Sequence, residues 1–297
     1  MKLIKPSFEI LDQQCGLEGI YKQIEISGRT CYKSEDKITE DSAKEFVDRM
    51  IKSGHGAMLE HGTVYLNIHW ENETHEVFDN MFKFYNENPY SKIVRKITNA
   101  EDLCPDLFIS TNYRVLVEHN RFNDLKYLCE PTEYHEKRIT VKFITDQGIL
   151  REFTRHRVFS FAVESTRYCN YTKDKFSNEI TFIQPNWISD EDIKNYHMDL
   201  DYFTDQDDNH ITAINRFMSA LKNAEYFYIA LIKLGWKPQQ ARNILPLATK
   251  CDMIMTGFVS DWKHFFEPRD AASAHPQAQE LAHPLHETFI QRGYIKD

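Results

Sequence analysis

Apolar residues recur at the three-and-four spacing of one helix face in three places. Residues 41–53 carry Ala43, Phe46, Val47, Met50 and Ile51 on one side, and Gly54 follows as a natural stop. Residues 147–154 turn Ile149, Leu150 and Phe153 inward. Residues 208–234 make the longest stripe, with Ile214, Phe217, Leu221, Ala224, Tyr228 and Leu231 ahead of Gly235. Such a stripe belongs to the core or to a subunit interface. Shorter helices are expected at 17–24 and 125–129, and Pro238 stands at the first position of another. Strict alternation marks a half-buried strand at 64–70, where Val64, Leu66, Ile68 and Trp70 alternate with Tyr65, Asn67 and His69. Its expected partner is the alternating run of Ile139, Val141 and Phe143. Further strands are expected near residues 3–10 and at 113–117, 181–183 and 253–259. Residues 28–35 read as a polar turn, and 172–175 and 185–206 as polar, irregular connections. Residues 71–136, rich in Asn, Asp, Glu and Lys, separate the two alternating runs.

The chain has 297 residues, enough for one large domain or for one domain with an insertion. A formal net charge of -9 argues against nonspecific nucleic-acid binding, which needs a broad basic surface. The six cysteines (Cys15, Cys31, Cys104, Cys129, Cys169 and Cys251) are scattered and contain no Cys-x-x-Cys pair. That is neither a zinc pattern nor a disulfide framework. No apolar run approaches the roughly 20 residues of a membrane span, and the first residues lack the apolar core of a signal peptide. The expectation is a soluble cytoplasmic protein with reduced thiols.

Against that acidic background one segment is basic. Arg155-His156-Arg157-Val158-Phe159-Ser160-Phe161-Ala162-Val163-Glu164-Ser165-Thr166-Arg167-Tyr168 holds three Arg within thirteen residues, interleaved with apolar side chains. Arg presents a planar fork of donors that matches phosphate or carboxylate oxygens, so the segment reads as an anion site running through the protein. Ser165 lacks the Gly-x-Ser-x-Gly context of an activated nucleophile. Glu152, three before Arg155, shares its helix face, as in an ordinary Glu–Arg helix pair. Gly54-His55-Gly56-Ala57-Met58-Leu59-Glu60-His61 lacks the His-Glu-x-x-His spacing of a helical zinc site, and its glycines argue for a loop. His275, His283 and His286 tempt a metal reading, but Pro276 and Pro284 interrupt a regular display of ligands.

Arg-His-Arg, seven residues, then Ser-x-Arg-Tyr resembles the signature of the flavin-dependent thymidylate synthases. Three other segments are similar to that family's motifs, in the family's order. They are Gly-His-x-x-x-x-Glu-His at 54–61, Ala-Arg-x-x-Leu-Pro-Leu at 241–247, and Asp261-Trp262-Lys263-His264-Phe265-Phe266-Glu267-Pro268-Arg269. Arg29-Thr30-Cys31-Tyr32 is similar to a segment near the family's cofactor. The resemblance implies an α/β (α+β) fold, a central, mostly antiparallel sheet flanked by helices, with 71–136 as an insertion on one edge. It implies reductive methylation of dUMP to dTMP with FAD as hydride carrier, methylenetetrahydrofolate as carbon donor and NADPH as reductant. His55, His61, Arg155, His156, Arg157 and His264 would hold FAD. Glu152, Ser165, Thr166, Arg167 and Arg242 would hold the nucleotide, and Arg269 would bind and polarise its uracil. A homotetramer with sites between subunits is implied as well. Ala57, Val163 and Phe258 depart from residues that members carry at the flavin. They keep open a nucleotide-binding regulator without turnover, and the C-terminal histidines keep open a metal-dependent hydrolase.

Overall fold

The computed structural model describes residues 1–97, 105–173, 178–194 and 212–296. In chain order these form β1 (Lys2–Ile4), β2 (Ser7–Ile10), α1 (Gly16–Tyr32), α2 (Ser42–Lys52), α3 (Gly56–Leu59), β3 (Thr63–Ile68) and α4 (His75–Glu87). There follow β4 (Lys92–Lys96), β5 (Asp106–Asn112), α5 (Tyr113–Glu118), β6 (Arg138–Asp146), α6 (Gln147–Phe153), β7 (Ser160–Val163), β8 (Thr181–Ile183) and α7 (Asp190–Lys194). The chain ends with α8 (Ala213–Lys233), α9 (Pro238–Ala241), β9 (Lys250–Phe258), α10 (Val259–Arg269) and α11 (Pro276–Gln291).

The fold is mixed helix and sheet. Its longest pairing is antiparallel, β6 with β9, in register from Arg138 opposite Phe258 to Asp146 opposite Lys250. With β2 and β7 it makes a four-stranded sheet in the order β2-β6-β9-β7. One face carries Val141, Phe143, Met253 and Met255 onto α6, α10 and α11, which contribute Phe153, Phe265, Leu281 and Phe289. Trp262 sits fully buried at the centre of this core and donates its indole N–H to the Ile139 carbonyl at 3.1 Å. A buried Trp needs such a partner.

A second sheet, in the order β3-β5-β4, covers another core with α1, α2 and α4. Here the structure corrects the expected pairing. The 64–70 run pairs with β5, Thr63 opposite Asn112 through Ile68 opposite Leu107, and not with the run at 139–143. Every residue of β5 is buried, so it shows no alternation to read. Its continuation, expected as a strand at 113–117, is the helix α5. The Asn112 side chain accepts from the Val115 N–H and starts the turn, which overrides the β-branched residues that follow. Residues 98–104 of the polar stretch lie outside the described residues, as do 174–177 of one polar connection and 195–211, which hold most of the other and the expected start of α8. From Ala213 the α8 helix is capped by Thr212, and it ends at Lys233, with Gly235 just beyond it at φ +97°.

The turn expected at 28–35 is a helix through Tyr32. Ile20 and Ile24 bury its inner face. Glu25 and Arg29, one turn apart, hold each other within that face at 2.9 Å. Gly28 is required where α2 crosses, because a Cβ there would stand 2.4 Å from the Phe46 ring.

Candidate active site

The signature leaves α6, turns, and runs as β7 along β9. Beyond β7, backbone bonds from the Glu164 N–H to the Asp252 carbonyl (2.8 Å) and from the Ser165 N–H to the Cys31 carbonyl (3.0 Å) fix the loop. The second bond fastens Ser165 to the C-terminal end of α1, which carries Arg29 and Tyr32. Beneath the loop lies a buried ionic cluster that sequence reading missed. Lys250 reaches Glu164 at 2.9 Å and Asp252 at 2.5 Å, and Lys33 contacts both carboxylates. Lys33 is one of the few non-glycine residues in the left-handed conformation (φ 49°), where it caps α1. Burial alone would raise the Asp252 carboxyl, but Lys250 and Lys33 bring it below its ordinary value. The opposite charges share one small, largely buried volume, so the attraction between them is screened far less by water and salt than that of a surface pair.

At the other end of the signature, Arg269 closes α10 onto the end of α6. Its Nη1 donates to the Glu152 carboxylate at 2.6 Å and its Nη2 to the Glu152 carbonyl at 2.8 Å. Its Nε donates to His156 Nε2 at 3.1 Å. His156 accepts that bond, so its other nitrogen carries the proton. Burial first, then the charge of Arg269, pushes the imidazole down to about 4, and it is neutral near pH 7. Glu152 therefore pairs with Arg269, 117 residues away, and not with Arg155. The His264 ring lies 6.2 Å from that of His156; it is exposed and bonds Glu267 at 3.2 Å.

The remaining expected residues fall into two neighbouring groups. Arg242 donates to Thr166 Oγ1 at 3.1 Å across 76 residues. Tyr32 meets His55 (3.4 Å) and faces the Tyr168 ring at 5.9 Å. Arg29, Tyr32, Arg49 and His55 line a hollow of about 530 Å³ between α1 and α2. Arg155, Arg157 and Arg167 are exposed, and among the described residues they form no ion pair. Those guanidiniums remain available to an anion.

His61 stands apart from these. It has no accessible surface, and its Nδ1 bonds Thr256 Oγ1 at 2.8 Å. It offers no face to a ligand in this chain. Burial, with the charge of Arg138, pushes it down to about 3. Arg138, also missed from the sequence, is itself enclosed. It bonds the Glu60 carbonyl and Thr63, and burial lowers it to about 10. Phe258 is buried under Arg138 and Lys92, whose charges lie 5.5 and 5.7 Å from its ring. His275 caps α11, and His283 and His286 each bond Asp270, at 2.9 and 2.8 Å. Contrary to expectation, α11 runs through Pro284 and displays both histidines on one side. No group of three or more His, Cys, Asp or Glu among the described residues is arranged to hold a metal ion.

Known proteins bear on these motifs. The family model described as thymidylate synthase complementing protein matches residues 132–292, more than half of the chain. A probable flavin-dependent thymidylate synthase of Paramecium bursaria Chlorella virus 1 is 27% identical over 208 residues, 67% of this chain and 89% of the relative. The flavin-dependent thymidylate synthase of Synechocystis sp. is 28% identical over 155 residues, 52% of this chain and 66% of that protein. Among solved structures, the UMP/dUMP methylase PolB from Streptomyces cacaoi bound with 5-Br dUMP overlays with a TM-score of 0.43. It is 17% identical, covering 98% of this chain and 93% of that one, a likeness too loose to bear on the site. The match begins six residues before β6 and takes in the signature, Arg242 and Arg269, the segments that the fold draws together. The chain is an enzyme of the flavin-dependent thymidylate synthase family.

Proposed function

We propose that the chain converts dUMP to dTMP, taking the one-carbon unit from methylenetetrahydrofolate and reducing it to a methyl group at the expense of NADPH, with tetrahydrofolate and NADP released. The observation that carries this reading is the pair of long-range contacts Arg269 to Glu152 and His156, and Arg242 to Thr166. They join three separately recognised motifs around one stretch of uncompensated arginines.

The residues present suit FAD. Arg155 and Arg157 carry charge with no carboxylate partner among the described residues, as a pyrophosphate requires. Tyr32, His55 and Arg49 line a hollow open to a flat, polar ring. When bound, FAD supplies the hydride chemistry, and the protein supplies binding and orientation. We assign Arg155, His156, Arg157, His55 and His264 to its surroundings, and give His61 a positioning role through Thr256. Ser165, Thr166, Arg167 and Arg242 hold the nucleotide. Arg269 spends three of its five N–H groups on Glu152 and His156, leaving two for a uracil oxygen. A guanidinium aimed in advance at a carbonyl that gains negative charge stabilises the transition state more than the ground state. Neutral His156 keeps that guanidinium in place without competing for the anion.

We propose a homotetramer in which neighbouring subunits complete each site, with the exposed Arg157, Arg167 and His264 turned toward them. The free thiols of Cys15, Cys31, Cys129, Cys169 and Cys251 suit a cytoplasmic setting. No described helix is long and apolar enough to cross a membrane.

The test is the visible spectrum of the purified protein after loading with FAD. We expect a retained oxidised-flavin band that NADPH bleaches, followed by dTMP formation once dUMP and methylenetetrahydrofolate are added. No retained flavin would refute the reading. Retained flavin and dUMP without NADPH oxidation would replace it with a nucleotide-binding regulator.

A further inference from the structure

Between α6 and the loop that precedes β9 lies a polar hollow of about 390 Å³. Gln147, Arg151, Thr166, Arg242, Asn243 and Thr249 are among its walls, and no Asp or Glu lines it. The Gln147 N–H donates to the carbonyls of Leu247 and Thr249, at 2.9 and 3.2 Å, so α6 is fastened to the opposite wall. Arg151 stands one turn after Gln147 on the same helix side. Arg242 is held by Thr166. Neither arginine forms an ion pair with a described residue, although acidic residues outnumber basic ones 45 to 36 in this chain. Two guanidiniums in one hollow repel each other unless an anion lies between them.

We propose that Arg151, which belongs to none of the recognised motifs, is a second phosphate-holding arginine that grips a phosphate monoester from the side opposite Arg242 and Thr166. This inference rests on the nucleotide reading of Thr166 and Arg242 and adds a residue and a direction to it. Gln147 offers its side-chain amide to the same group. A doubly charged phosphate has enough oxygens for both forks, whereas a neutral nucleoside gains nothing from Arg151.

The experiment uses the full-length, FAD-loaded protein and measures dissociation constants for dUMP, deoxyuridine and inorganic phosphate. The variants are Arg151→Gln, Arg151→Lys and, as a remote exposed control, Lys83→Gln. Loss of a charge-assisted bond weakens dUMP and phosphate about 10- to 100-fold in Arg151→Gln. Arg151→Lys recovers part of the loss, while deoxyuridine binding in all variants and dUMP binding in Lys83→Gln stay as in the wild type. Equal weakening of dUMP and deoxyuridine, or unchanged dUMP and phosphate, overturns the inference. Wild-type protein that binds phosphate through Arg151 but does not bind dUMP keeps the phosphate site and refutes the proposed substrate instead.

Discussion

His61 makes a thermodynamic prediction that needs no assay of turnover. It is fully buried beside Arg138, and its imidazole sits at about 3 against an ordinary 6.5. In the unfolded chain it takes up a proton near pH 6.5; in the folded chain it does so only near 3. Between those limits the unfolded state binds one more proton. Stability therefore falls as pH falls through that window, at about 1.36 kcal/mol per pH unit, and is unaffected by His61 above it. From about pH 8 to about pH 5 the accumulated loss is about 2 kcal/mol. That is a sizeable part of the roughly 5–15 kcal/mol of a typical domain. His61→Asn keeps a non-titrating donor or acceptor near the position of Nδ1, within reach of Thr256. The smaller side chain lowers stability by a constant amount. The assay is urea unfolding of both proteins at fixed concentration across this range, where carboxylates contribute little and His156 contributes equally to each. The difference between wild type and variant shrinks by about 2 kcal/mol on going from pH 8 to pH 5. Parallel curves would show that His61 is charged in the folded state, or already neutral in the unfolded one, and would refute the burial argument.

Three further outcomes follow from the same contacts. Arg269→Gln retains the flavin band but lowers kcat by about 10²- to 10³-fold, the range for removing one donor to a developing oxyanion; unchanged kcat in steady-state dTMP formation would remove its polarising role. On the proposed role of Ser165 as a nucleotide-binding residue, Ser165→Ala keeps measurable turnover, and complete loss with dUMP binding intact would make it a nucleophile. Glu164→Gln removes one of two buried carboxylates from Lys33 and Lys250, which keep Asp252, and costs about 1–3 kcal/mol in urea unfolding, so a change within experimental error would show that the ionic cluster does not hold the signature loop.

Helices were legible wherever an apolar stripe met a solvated face. The α2 helix, α6 and most of α8 lie where their spacing put them. Strand pairing was not. The run expected at 64–70 was a strand as far as Ile68, where a turn at Trp70 ends it, but its partner β5 is buried at every position and gives no period-two pattern. The visible alternation at 139–143 drew the pairing to the wrong sheet. Choosing between partners depends on which sheet's open face α1, α2 and α4 cover, and that contest is decided between segments far apart in the chain. Similarly, 113–117 has strand-like residue types, yet one capping side chain at Asn112 settles it as a helix.

The site divides along the same line. Residue types that bind anions stood out because a basic segment in an acidic chain departs from its surroundings, and Arg242 and Arg269 were picked out by motif alone. What gives those residues their chemistry is contact, and contact is where the sequence was silent. Glu152 was weighed against its helical neighbour Arg155, three residues on, but its partner is Arg269, 117 residues on. Val163 stood out as a departure from the family pattern, whereas the adjacent Glu164, with Lys33, Lys250 and Asp252, carries the buried charge that fixes the loop. His61 and His156 look alike in the sequence. One is sealed into the protein against Thr256, and the other faces the guanidinium expected to polarise the substrate. The difference lies wholly in what the fold packs around each ring, and the two depressed proton affinities follow from that packing.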